Sequence, residues 1–156
     1  GNVNPAAEAN VIADPEAADK VLTAPWPVTL IGLDVTRKII MTDEYLAKIK
    51  NSKNKFGEFF YQASRFYLGF YKTYMRMNGI CGHDPSTIVY LLKPDLFTTK
   101  SGTVRVMTEG LARGQTIMDQ RDSWYGKNAW SNLPKVQVAL DVDAKGVLDV
   151  ILGQLG

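Results

Sequence analysis

Val28-Thr29-Leu30-Ile31-Gly32-Leu33-Asp34-Val35 is apolar on both faces that an extended chain presents. A short run without alternation is the pattern of a strand buried in a parallel sheet, so residues 28–35 predict a central β-strand. Upstream, Asp14-Pro15-Glu16 has the form of a helix start, because Asp accepts from orphan amides and Pro suits the first helical position. That helix runs to about Thr23, where Ala24-Pro25-Trp26-Pro27 ends it. Downstream, a helix is expected from Thr42 or Asp43 to about Lys50, and a long one over residues 55–77 with Asn78-Gly79 as its stop. Residues 80–85 read as a glycine-containing loop and Ser86 opens a short helix to Leu92. Beyond Pro94 the period changes to two: residues 103–108, 115–120 and 135–141 predict strands, and a last helix follows over residues 144–155. Strands alternating with helices, then a cluster of strands, indicate an α/β fold with a mixed sheet.

Composition sets outer bounds. The chain has 156 residues, with 18 Lys and Arg against 16 Asp and Glu, a formal charge of +2. That balance gives no case for a nucleic-acid or membrane-surface partner. Cys81 is the one cysteine, which rules out an internal disulfide framework and fits a reducing, cytoplasmic setting. The longest apolar runs are too short to span a bilayer, and no basic-then-apolar opening suggests a secretory leader in these residues.

Candidate chemistry concentrates in two places. The only histidine and the only cysteine lie two apart in Ile80-Cys81-Gly82-His83-Asp84-Pro85. Residues that close in one loop rarely bring sulfur and imidazole together as a nucleophilic pair, and no second Cys or His exists to complete a zinc set. His83 can exchange a proton near neutral pH, and Asp84 can hold a hard cation or a sugar hydroxyl. Cys81 reads as a small buried residue without a catalytic part. The second concentration is the polar loop over residues 2–10. There Asn2, Glu8 and Asn10 offer amide donors, amide acceptors and a carboxylate suited to sugar hydroxyls. The same residue types also cap helices.

These stretches together resemble the nucleoside hydrolases, the inosine-uridine-preferring and non-specific nucleoside N-ribohydrolases. The resemblance rests on Gly1-Asn2-Val3-Asn4-Pro5-Ala6-Ala7-Glu8-Ala9-Asn10, Asp14-Pro15-Glu16-Ala17-Ala18 and Pro27-Val28-Thr29-Leu30-Ile31-Gly32-Leu33-Asp34-Val35-Thr36. Gly82-His83-Asp84-Pro85, Gly114-Gln115-Thr116 and Val138-Ala139-Leu140-Asp141-Val142-Asp143 continue it. It covers the C-terminal half of a family chain about twice as long. It implies half of a Rossmann-like, mostly parallel sheet flanked by helices, with the late strands making the sheet mixed. The whole chain would then be one half-domain that needs an N-terminal half to complete sheet and active site. The family's aspartate-rich N-terminal cluster is missing from these residues, and the start at Gly1 looks like a cut, a processing site or an engineered truncation.

The resemblance implies a reaction: hydrolysis of the N-glycosidic bond of purine and pyrimidine ribonucleosides through a calcium-bound water, as in purine salvage. Asp84 would supply one calcium ligand and touch the ribose. Asn2 and Glu8 would grip its 5′ end, Asn10 its ring hydroxyls. His83 would protonate the leaving base, and Tyr67 and Tyr71 would cover it, while Tyr74 is a weaker candidate. The 156-residue chain alone would be inactive. Implied partners are a nucleoside, the N-terminal half, and further copies in a homodimer or homotetramer. The competing reading is a nucleoside-binding or antigenic fragment without turnover.

Two expectations concern aromatics. The long helix region holds nine of the 16 (Phe56, Phe59, Phe60, Tyr61, Phe66, Tyr67, Phe70, Tyr71 and Tyr74), and its Phe59, Ala63, Phe66, Phe70 stripe is expected to fill core. The segment 122–134, with Trp124, Tyr125 and Trp130, reads as a surface excursion suited to a subunit contact or a flap.

Overall fold

The computed structural model describes residues 1–121 and 126–155. Trp124 and Tyr125 lie outside the described residues; Trp130 is half-buried, with its backbone amide donating to Asn128 Oδ1 at 2.9 Å. The chain is a mixed α/β fold that divides into two compact units, Gly1–Leu33 with Thr99–Leu140, and Asp34–Thr98 with Asp141–Gly156.

The first unit starts with two helices, α1 (Ala9–Ala13) and α2 (Pro15–Leu22). Asp14 caps α2 as its sequence predicts, accepting from Ala17 N at 2.9 Å with Pro15 in the first turn. The unit's sheet has the order β1-β6-β4-β5, formed by β1 (Thr29–Leu30), β4 (Phe97–Val106), β5 (Thr116–Asp119) and β6 (Val136–Val142). β1 runs parallel to β6, with Thr29 opposite Gln137 and Leu30 opposite Val138. β4 and β5 are antiparallel, with Val104 opposite Met118. The sheet is thus mixed, as the late strands indicate. Its core gathers Leu22, Val104, Val106, Val136 and Val138, covered by Val11, Ala18 and Leu30. Asp19 ties α2 to β4. It accepts from Arg105 Nε at 2.8 Å, Arg105 Nη2 at 2.9 Å and the Val106 amide at 2.9 Å. Partial burial pushes this carboxyl upward, but the guanidinium and the amide outweigh it and hold it below its ordinary value.

The second unit is mainly helical: α3 (Leu33–Thr36) leads into it, followed by α4 (Asp43–Lys50), α5 (Gly57–Tyr74), α6 (His83–Leu92) and α7 (Ala144–Leu155). A small antiparallel pair, β2 (Ile40–Met41) and β3 (Ile80–Cys81), joins them. Met41, Leu46, Ile49, Leu68, Tyr71, Ile80 and Cys81 form its core. Tyr45 reaches α7, donating to Leu148 O at 2.7 Å, and burial pushes its phenol up to about 12.

Several expectations need correction. Residues 28–35 are not one buried strand: only Thr29–Leu30 is extended, Thr29 is exposed, and Leu33–Thr36 is a turn of helix. An aperiodic apolar run of this length fits a strand or a buried helical turn equally. Residues 80–85 are not a loop, because Ile80–Cys81 pairs with β2 and α6 starts at His83 instead of Ser86. Helix α5 ends before Asn78-Gly79. Arg76 takes a left-handed φ of 53°, and Tyr71 O accepts from the Met75 and Met77 amides at 3.0 and 3.2 Å, the double closure of a helix C-terminus. The Phe59, Ala63, Phe66, Phe70 stripe does not fill core: Phe59 and Phe66 are 73% and 85% exposed. The opposite stripe, Gly57, Ser64, Leu68 and Tyr71, faces inward. With aromatics on every side of α5, the periodicity offers two apolar faces and does not choose between them.

Candidate active site

In the first unit the loop before α1 folds on itself. Asn4 Oδ1 accepts from the Ala6 and Ala7 amides at 2.9 and 2.8 Å, and Asn2 Oδ1 accepts from Ala9 N at 2.9 Å. Glu8 caps α1: its Oε2 accepts from Asn10 N at 2.9 Å and Val11 N at 3.1 Å, while Asn10 Nδ2 donates to Oε1 at 3.3 Å. Ala7 is fully buried and abuts the turn at Gly114. That glycine has φ +86°, and a Cβ there would fall 2.8 Å from Ile12 and 2.9 Å from Ala7, so only glycine lets the turn brace the loop. The structure therefore brings Asn2, Glu8 and Asn10 together. They serve as caps, yet among the described residues the Asn2 amide NH2 and the Asn10 side-chain carbonyl keep no protein partner.

In the second unit α6 starts at His83, directly after β3. Gly82 is the cap residue, its amide donating to Ile39 O at 2.9 Å. The buried Ser86 hydroxyl donates back to Gly82 O. His83 is half-buried, with Nδ1 2.8 Å from Thr36 Oγ1 and Nε2 3.4 Å from the Tyr71 hydroxyl. Tyr71 is buried, and its ring meets that of half-exposed Tyr67 edge-on at 4.9 Å. Burial, and after it the neighbouring Tyr67 phenol, drive ionisation of Tyr71 far above the ordinary phenol range, so it keeps its proton. Asp84 sits exposed in the first turn of α6, where the helix dipole favours an anion. Cys81 is buried and its thiol is pushed upward by that burial, as expected of a group without a reactive role.

Tyr67, Tyr71 and His83 are thus assembled, and Asp84 follows His83 in the chain as an exposed residue. Thr36 completes this cluster, and the sequence reading assigned it no role. Its only signal was the place it held at the end of the Leu33-Asp34-Val35 run, hidden because that run read as strand. Among the described residues no group of three or more His, Cys, Asp or Glu could hold a metal ion. Calcium takes six to eight oxygens, so one exposed carboxylate does not make a calcium site. Among the described residues no helix is long and apolar enough to cross a membrane.

This architecture is that of the nucleoside hydrolases. A plant nucleoside hydrolase, the PpNRh1 enzyme, superposes with a TM-score of 0.95 at 36% identity, covering 99% of this chain and 49% of that one. A purine-preferring ribonucleoside hydrolase from Gardnerella vaginalis superposes with a TM-score of 0.85 at 33% identity, over 99% of this chain and 48% of that one. Uridine nucleosidase 1 of Arabidopsis thaliana is 40% identical over 156 residues, 99% of this chain and 46% of the relative. The chain belongs to the family described as inosine-uridine preferring nucleoside hydrolase, which it matches over residues 1–149. It spans about half the length of the curated relatives it matches.

Proposed function

We propose that this chain supplies the sugar- and base-contacting side of an enzyme that hydrolyses the N-glycosidic bond of purine and pyrimidine ribonucleosides to free base and ribose. The observation that carries the reading is His83, held between Thr36 and Tyr71. Relatives named for uridine and for purine nucleosides support both base classes. In this reaction the C1′–N bond breaks, water supplies the new C1′ oxygen, and the departing base takes a proton. His83 donates that proton from Nε2, turning a poor anionic leaving group into a neutral one. Tyr67 and Tyr71 pack over the base. Asn2, Glu8 and Asn10 bind the ribose hydroxyls, and such contacts accelerate the reaction where they strengthen as the ring flattens toward an oxocarbenium ion.

Asp84 would contribute one ligand to a calcium ion, whose remaining ligands, with the base that activates water, would come from an N-terminal half. The working protein is a homodimer or homotetramer in the cytoplasm, in keeping with the free, buried Cys81. The test is release of ribose from uridine and inosine by the full-length protein with calcium present, and its loss on chelation. Turnover unchanged by chelation would remove the calcium assignment. A second reading is a chain that binds nucleoside without turnover, and ribose released by the purified 156-residue chain itself would exclude it.

A further inference from the structure

The Thr36 hydroxyl is 3% exposed and reaches His83 across 47 residues of sequence. A neutral imidazole has one N–H and one lone pair, so its partners decide which nitrogen carries the hydrogen. The Tyr71 hydroxyl is 3.4 Å from Nε2, and its one hydrogen also has Tyr67 and Cys81 within reach. The closer contact is at the other nitrogen, where Thr36 Oγ1 is 2.8 Å from Nδ1. From this geometry we infer that Thr36 is a positioning residue: its hydroxyl pairs with Nδ1 of His83, fixes the plane and tautomer of the ring, and leaves Nε2 on the side of Tyr71. A hydroxyl orients the ring without adding charge to it. The inference rests on the reading of His83 proposed above and adds the residue that makes that reading geometrically specific.

The test uses the full-length protein labelled with 15N-histidine, the His83 signals being assigned by their loss in His83→Gln. The wild type is expected to show a single neutral tautomer. Thr36→Val keeps the side-chain shape and removes the hydroxyl. It should mix the tautomers and lower kcat for uridine by about 10- to 100-fold, with KM changed less than about twofold. Thr36→Ser should restore both the shifts and kcat. A mixture of tautomers in the wild type overturns the inference, as does a Val variant with unchanged shifts and kcat. A Ser variant as impaired as Val does so too, since the role would then be packing. Should the Val variant fail to fold, the wild-type tautomer and the Ser variant still decide. His83→Gln with undiminished turnover overturns the acid assignment itself and the catalytic half of this inference, whatever the shifts show.

Discussion

Among the described residues no side-chain hydrogen bond of Asn2, Asn4, Glu8 or Asn10 in the amino-terminal loop reaches further than seven residues along the chain, whereas His83 is held by groups 12 and 47 residues away. The loop is a local structure whose polar atoms first satisfy their own backbone. The His83 cluster exists only because α3, α5 and α6 converge. The difference teaches that the local geometry of the Glu8 carboxylate accounts for a cap and leaves a ligand role to be tested. The Thr36 hydroxyl comes from far along the chain to one ring nitrogen, and orientation of the ring is the role proposed for it.

The comparison can be pressed hardest at His83. His83→Ala should lower turnover of uridine and inosine by about 10²- to 10⁴-fold while costing less than about tenfold on p-nitrophenyl riboside, whose leaving group needs no proton. Equal losses on both substrates would place His83 outside proton transfer. Next in size is the core beneath this cluster: Leu68→Ala, at a position 6% exposed, should cost about 2–5 kcal/mol in urea unfolding.

Asp19 probes the first unit. Its carboxyl is depressed in the folded state, so its contribution is fully present above the ordinary Asp value of about 3.9 and is lost as pH falls through the lower folded value. Asp19→Asn should cost about 2 kcal/mol at pH 7 and flatten the fall in urea midpoint between about pH 5 and pH 2. An unchanged pH slope would mean the Arg105 pair contributes nothing. Smaller again is the cap. Glu8→Ala should destabilise by about 1 kcal/mol, and Glu8→Gln, which keeps an acceptor, by less. If Glu8 also grips the ribose, kcat/KM falls in both variants by more than the stability change accounts for. A loss of activity that only tracks stability would leave Glu8 as a cap alone. The smallest effect belongs to Phe66→Ala, within about 0.5 kcal/mol, because that ring is 85% exposed.

Much of the fold was legible. The Asp14-Pro15 start of α2, the Thr42 cap of α4 and the span of α7 are local signals read by groups a few residues apart. The candidate residues were legible as residue types in recognisable blocks. Other features were not: α1 and the short α3, the start of α6 at His83, the pairing of Ile40–Met41 with Ile80–Cys81, the inward face of α5, and Thr36 as the partner of His83. The last three depend on what packs opposite, and periodicity carries no information about that.

The sequence by itself determined the family, the starts of α2, α4 and α7 and the polar residues of both clusters, because caps, turn residues and ordered motif blocks act over a few positions. Only the tertiary structure decided which stripe of α5 is buried and which hydroxyl holds the imidazole. Burial and hydrogen bonding between distant segments are settled by how the elements pack, and a ring nitrogen acquires its partner only when that packing is complete.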